Sequence, residues 1–322
     1  MTVALAGKRL FQWSGALAAV RFRNRGYLRI LMYHRFGEGG RLRPQLERQC
    51  RHLRRHYHVL ELREAAARLA DGGRFPPHAV VITVDDGHAD FYREAYPVLR
   101  RWGLPATLYL TTGYLDGRCW LWFDLVDYLF GQTEAARLEL EPLGAMELGS
   151  AAAKHAAADA VKEAALRMPN AAREELMAGL PRALKVDVPP RPPARWEPLS
   201  WDQVREMASG GIEFGAHTLT HPILSRVADE GQLEREIREP KQRIEQELDR
   251  ETLHFCYPNG QPGDFTPAIV ERVRQAGFQT AVTAEQGLNP AGAPRYLLKR
   301  VPVEPDRDWG VFTRAVAGFR LR

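Results

Sequence analysis

The sequence predicts an α/β fold in which parallel strands alternate with helices, in a sheet or barrel whose chemistry gathers at the C-terminal strand ends. Three observations carry this reading. The run Ala79–Val84 (AVVITV) consists of β-formers bounded by Pro77 and Asp85, the pattern of a strand buried on both faces. A helical stretch, His88–Trp102, follows and stops at Gly103, and a second strand, Ala106–Thr111 (ATLYLT), comes next. The same alternation returns between residues 201 and 301.

Taken in order, Tyr27–Tyr33 (YLRILMY) is the first expected strand, followed by a polar helix at Pro44–Tyr57 and a second helix at Glu61–Ala70. In the later half Trp201–Ser209 is helical, and the Ser200 hydroxyl is suited to accept from a free N–H of its first turn. Ile212–Gly215 is a short strand, Gly231–Leu248 a long charged helix and Leu253–Tyr257 a strand. Pro267–Ala276 is a helix, Gln279–Thr283 a strand, and Leu297–Val301 closes the series. No internal repeat of 20–50 residues is present.

Residues 118–199 break the rhythm. The segment 151–165 (AAAKHAAADAVKEAA) is Ala-rich and strongly helix-forming, and 170–180 reads as another helix. A proline-rich stretch at 186–198 then stops any helix. The expectation is a helical insertion that returns through a Pro-rich linker.

Composition limits the function classes. The 322 residues are 45% hydrophobic and 26% charged, which excludes wholesale disorder, collagen-like repeats and a polytopic membrane protein. The net charge is +5, and only six of the basic residues are Lys; the other 39 are Arg, so the basicity persists near neutrality. Because the basic residues are spread along the chain, no nucleic-acid partner is expected. Cys50, Cys119 and Cys256 form no CxxC pair and are expected as buried thiols in a reduced compartment.

The N-terminus combines Leu10, Phe11, Trp13 and Leu17 with Arg21, Arg23 and Arg25. Its apolar run Gly15–Val20 is too short to span a bilayer, and no small-residue cleavage site follows. Two readings stand: a first helix docked on the domain, or peripheral contact with an anionic membrane surface.

Two motifs carry chemistry. Val84 is followed by Asp85-Asp86-Gly87, two adjacent carboxylates beyond a buried strand, costly unless paired or metal-bound. Neighbouring residues point in different directions, so one can ligate a cation while the other handles a proton. Beyond the short strand at 212–215 lie His217 and His221, whose spacing brings two imidazoles to one side of a helical turn. With Asp86 they form a set suited to Zn2+, with Co2+, Ni2+ or Mn2+ also accommodated.

TVDDG at 83–87, AHTLTH at 216–221 and FCYPNG at 255–260 resemble the ordered motifs of the polysaccharide deacetylases, the NodB homology domain of carbohydrate esterase family 4. LMYHRF at 31–36 resembles a first strand found in the poly-N-acetylglucosamine deacetylase branch. The resemblance covers 27–117 and 196–303 and implies a distorted (β/α)7 barrel with a helical insertion. It divides the chain into a basic amphipathic segment (1–26), a first barrel part (27–117), the insertion and linker (118–199), a second barrel part (200–303) and a C-terminal tail (304–322).

Carried over residue by residue, the resemblance implies that Asp86, His217 and His221 bind the metal. It makes Asp85 the general base for the attacking water, and gives the backbone N–H of Asn259 to the developing oxyanion. Two positions depart from the pattern. The late Leu-x-His motif that supplies a general acid reads Leu298-Lys299-Arg300 here, so His34 at the end of the first strand is the expected replacement. The third-motif Arg that orients the base is replaced by Cys256, and Arg300 is the candidate to reach Asp85 instead. Other candidates rank lower: His88 as a cleft residue, and Trp120, Trp122 and Phe123 as either a sugar-stacking wall or an anchor for the insertion.

The expected function is a metal-dependent deacetylase acting on the N-acetyl group of a sugar in a polysaccharide or lipid-linked glycan. The alternative is a catalytically silent glycan-binding module that keeps the metal. The expected location is cytoplasmic, peripheral at the inner membrane face.

Overall fold

The computed structural model describes residues 15–141 and 143–319. Seven parallel strands close a barrel in the order β1 (Arg29–Tyr33), β3 (Ala79–Val84), β4 (Ala106–Leu110), β7 (Ile212–Ala216), β8 (His254–Cys256), β9 (Thr280–Gln286), β10 (Leu298–Pro302) and back to β1. Closure rests on β1, which pairs with β3 along its whole length and with β10 at Leu31 and Met32. The two-residue β2 (His58–Val59) borders the start of β3. The expected distorted (β/α)7 barrel is therefore what forms, and every strand predicted from β-former runs lies in it, with boundaries moved by a few residues.

Alternation along the strands sorts the core into two layers. Val80, Ile82 and Val84 of β3 pack outward under the helices, with Leu108 and Leu110 of β4. Val81, Tyr109, Cys256, Val282 and Leu298 share a second cluster with Leu28 and Ile30, the barrel interior. The helix Leu62–Ala70 plugs the bottom, adding Leu62, Ala65 and Leu69 to that cluster. Glu213 ties it there: its carboxylate accepts from the N–H of Leu62 at 2.9 Å and from Arg63 at 2.5 Å.

Ser200 caps the helix Trp201–Ser209 in a full capping box with Gln203, as its position predicts. The stretch 88–102 is less regular than expected. Residues Phe91–Ala95 form a π-helical turn before the helix Tyr96–Trp102. Pro97 has no N–H to donate, so the α ladder cannot run through it.

Residues 118–199 form a layer with its own core. The helices Trp122–Gln132, Ala151–Ala165 and Asn170–Leu184 pack around Val126, Leu129, Val161 and Leu180. An antiparallel hairpin of β5 (Arg137–Leu140) and β6 (Gly144–Glu147), which the helical reading did not include, completes it. The layer follows β4, so it sits at the C-terminal face of the barrel.

The termini differ from a simple segment and tail. Leu10, Phe11 and Trp13 lie outside the described residues. The helix Ala16–Arg23 buries no side chain, and Asn24 donates to the carbonyl of Ala317 at 3.0 Å. The stretch 304–322, expected as a tail, contains the helix Trp309–Ala317, whose Phe312, Ala315 and Val316 join the main core. Asp308 caps it, accepting from the N–H groups of Gly310 and Val311. Among the described residues no helix is long and apolar enough to cross a membrane.

Candidate active site

The site is built at the C-terminal mouth of the barrel. Asp85 follows β3 and continues the inward series Val81, Thr83. By alternation Asp86 would face the helices. Its backbone instead takes φ +78°, and Gly87 follows at φ +92°, which turns the Asp86 carboxylate back over the mouth. A side chain on Gly87 would also come within 2.9 Å of the Leu115 methyl, so its space is tight as well as its backbone left-handed.

Arg300 reaches the same point from β10. The β9–β10 register breaks between Leu298 and Arg300, an irregularity that re-aims the strand end. Its guanidinium donates to Oδ1 of Asp85 at 2.7 Å and to the Thr283 carbonyl at 2.7 Å, and its other nitrogen lies 3.3 Å from the sulfur of Cys256. Arg300 thus fills the space that the small Cys256 leaves beside Asp85. Burial alone would raise the Asp85 carboxyl; Arg300 first, then His217 and His34, together outweigh burial and hold it below the usual carboxylate value.

His217 and His221 meet over Asp86, but not on a helical turn. They lie in the loop after β7, where Thr218 and His221 take φ +66° and +60°. The buried Glu236 holds this loop by accepting from the N–H groups of Leu219 and Thr220, both at 2.9 Å. Local turn geometry therefore replaces the helical spacing expected from sequence. The two rings lie 4.7 Å apart between centroids.

Both imidazole Nε2 atoms stand 3.5 Å from Oδ1 of Asp86. That separation is long for a hydrogen bond, whereas two donors each about 2.1 Å from a tetrahedral cation lie about 3.4 Å apart. Nδ1 of His217 lies 2.8 Å from the Cys256 carbonyl, an acceptor only, so Nδ1 carries a proton and Nε2 is the ring atom turned to Asp86. Burial, then the neighbouring His217, pushes the His221 imidazole down to about 3, which leaves it free to ligate, whereas Cys256 and Asp86 outweigh burial and hold His217 above its ordinary value, so a bound cation would have to take the place of its Nε2 proton. One carboxylate and two imidazoles fit a divalent cation such as Zn2+, and these ligand atoms all lie within 4.8 Å of one another.

Two further expected residues border the same cavity of about 610 Å3. His34, at the end of β1, places Nε2 3.7 Å from Oδ2 of Asp85, with its side chain 41% exposed. Asn259 sits at φ +58°, and among the described residues its backbone N–H has no hydrogen-bond partner. The N–H groups of Tyr257 and Gly260 on either side are both occupied.

The insertion supplies part of the cavity wall: Trp122, Phe123, Asp124, Asp127, Lys162, Leu166 and Trp196. Trp122 and Phe123 both line the cavity and anchor the insertion, whereas Trp120 packs against Tyr128 and Trp196. Sequence reasoning missed Asp124 and Arg35. Asp124 holds Nε2 of His88 at 2.7 Å, and Arg35 bonds Asp90 at 3.0 Å. Asp124 stands in no motif, and Arg35 lies within LMYHRF at 31–36, where His34 alone is singled out; folding into the wall is what marks both.

A closed parallel barrel with paired acids and two histidines at its C-terminal mouth defines a barrel-type hydrolase site. More narrowly, the chain belongs to the polysaccharide deacetylase family, whose model matches residues 72–281. It is 24% identical over 289 residues to YxkH of Bacillus subtilis strain 168, a protein named for the same family; the match spans 88% of this chain and 74% of that one. Solved structures share the fold. The Streptococcus pyogenes deacetylase PplD, in complex with acetate, aligns with a TM-score of 0.58 at 18% identity, over 88% of this chain and 94% of that one. IcaB from Ammonifex degensii aligns with a TM-score of 0.55 at 20% identity, over 91% and 98%.

Proposed function

We propose that this chain is a metal-dependent N-deacetylase that hydrolyses the acetamide of an N-acetylated sugar in a polysaccharide or lipid-linked glycan. The observation that carries the proposal is the division of labour between two neighbouring carboxylates. Asp85 is held by Arg300, and Asp86 faces two imidazole nitrogens at 3.5 Å.

Asp86, His217 and His221 would hold the cation. Bound there, a divalent ion would polarise the acetamide oxygen and acidify the attacking water. Asp85, kept ionised by Arg300, takes the proton from that water as its oxygen adds to the acetamide carbon. The free N–H of Asn259 donates to the oxygen on which negative charge develops. As the C–N bond breaks, His34 hands a proton to the leaving amine, and acetate departs. The aromatic wall of Trp122 and Phe123 offers apolar surface to a sugar ring.

Acetate release from chitooligosaccharides and from an aryl acetate, with and without Zn2+, tests this for wild type and Asp85→Asn. Metal-dependent release that the variant loses supports the hydrolase. A protein that binds Zn2+ and releases acetate from neither compound points to a selective lipid-linked substrate or to the silent glycan-binding module, and release from a lipid-linked N-acetylated sugar separates the two.

The proposal extends to a cytoplasmic protein at the inner membrane face. Phe22, 61% exposed beside Arg21 and Arg23, is suited to contact an anionic lipid surface. Failure to co-sediment with anionic vesicles would remove that contact.

A further inference from the structure

We infer that the insertion is part of the metal site: Asp124, acting through His88, holds the Asp86 carboxylate in its ligating orientation. This rests on the metal-dependent reading above.

The two oxygens of Asp86 face different neighbours. Oδ1 lies 3.5 Å from Nε2 of His217 and of His221, and Oδ2 lies 3.9 Å from Nδ1 of His88. The opposite ring nitrogen of His88 is held by Oδ2 of Asp124 at 2.7 Å. All three side chains are buried, with His88 2% exposed, Asp86 3% and Asp124 5%. Nδ1 of His88 is itself buried and, among the described residues, has no hydrogen-bond partner. On the site side it faces the Asp86 carboxylate at 3.9 Å.

The arrangement joins two parts of the chain that are separate in sequence. His88 belongs to the turn that carries Asp85 and Asp86. Asp124 belongs to the first turn of the insertion helix Trp122–Gln132. A ring fixed at one end by a carboxylate cannot rotate away from Asp86, so the outer oxygen keeps a fixed neighbour and Oδ1 stays turned toward the histidines. A second contact runs in parallel. Arg173, from the insertion helix Asn170–Leu184, donates to the carbonyl of His221 at 3.3 Å. The insertion thus supports both sides of the ligand set, which a freely opening lid would not do. His88 and Asp124 are positioning residues and need not touch the substrate.

The test is Zn2+ binding to the full-length protein after chelation, by calorimetry at one fixed pH, for wild type, Asp124→Asn and His88→Phe. The melting temperature of each metal-free protein is measured alongside. Loss of such supporting partners weakens metal affinity by about 10–100-fold. That loss, with metal-free melting temperatures close to wild type, is the expected result. Unchanged Zn2+ affinity in both variants overturns the inference and leaves the proposed function standing. A wild-type chain that takes up no Zn2+ overturns both. Should one variant fail to fold, the other decides.

Discussion

Arg300 donates to Asp85 at 2.7 Å across 215 residues of sequence, with both side chains no more than 3% exposed. The pair stands where the family pattern would place an Arg at position 256, so a guanidinium from β10 serves the carboxylate that follows β3. Removing one partner of such a buried pair leaves the other uncompensated, at a cost of about 3–5 kcal/mol. Arg300→Met should therefore lower stability by about that amount in urea unfolding. The double variant Arg300→Met/Asp85→Asn should recover part of the loss. A double variant no more stable than the single one would show that the pair is not the source.

Asp85 and Asp86 should separate under mutation. Asp85→Asn is expected to keep Zn2+ affinity and to lose about 10²–10⁴-fold in turnover, the usual worth of a general base. Asp86→Ala should lose Zn2+ binding and turnover together. Calorimetry and acetate release on the same samples decide. An active Asp85→Asn protein would end the assignment of the base.

His34→Ala should damage amide hydrolysis more than hydrolysis of an activated aryl ester, whose leaving group needs no proton. The expected ratio of the two losses is at least about tenfold, within the range of general acid catalysis. Equal losses on both substrates would argue that His34 only shapes the cavity.

Glu213 gives a pH test remote from the chemistry. Burial alone would raise its carboxyl, but His254, then Arg63, outweigh burial and bring it down to about 2 from an ordinary 4.5. A folded value below the unfolded one means the stabilisation is complete above about 4.5 and is lost as pH falls toward 2. The contribution at neutral pH is on the order of 2–3 kcal/mol. Glu213→Gln should lower stability at pH 7 and flatten its decline between pH 5 and pH 2, measured by urea unfolding across that range. An unchanged decline would place the acid sensitivity elsewhere.

Removing the cation should lower stability by an amount that grows with the logarithm of the free cation concentration relative to the dissociation constant. At a free Zn2+ concentration about 100 times the dissociation constant, binding adds about 2.7 kcal/mol to the folded state. Thermal unfolding with chelator and then with excess Zn2+ should show a reversible rise in melting temperature that Asp86→Ala lacks. No rise in the wild-type protein would argue against a cation at this site.

Much of this protein is legible along the chain because its signals are local. A run such as AVVITV needs no distant partner to read as a buried strand, and Ser200 caps its own helix. Asp85, Asp86, His217 and His221 announce themselves because unusual side chains stand at strand ends. Alternation even sets the direction of Asp85, whose inward series Val81, Thr83 begins in the strand itself.

The tertiary structure decided what depends on pairings between distant segments. Barrel closure needed β1 to meet both β3 and β10. The turn of Asp86 toward the histidines, and the meeting of His217 and His221, came from left-handed backbone residues rather than from helical spacing. The partner of Asp85, the hold of Asp124 on His88 and the helix at 309–317 each depend on burial against segments far away in sequence. A polar side chain shows its partner only once folding has removed both from water, and no local pattern records which two groups will be buried together.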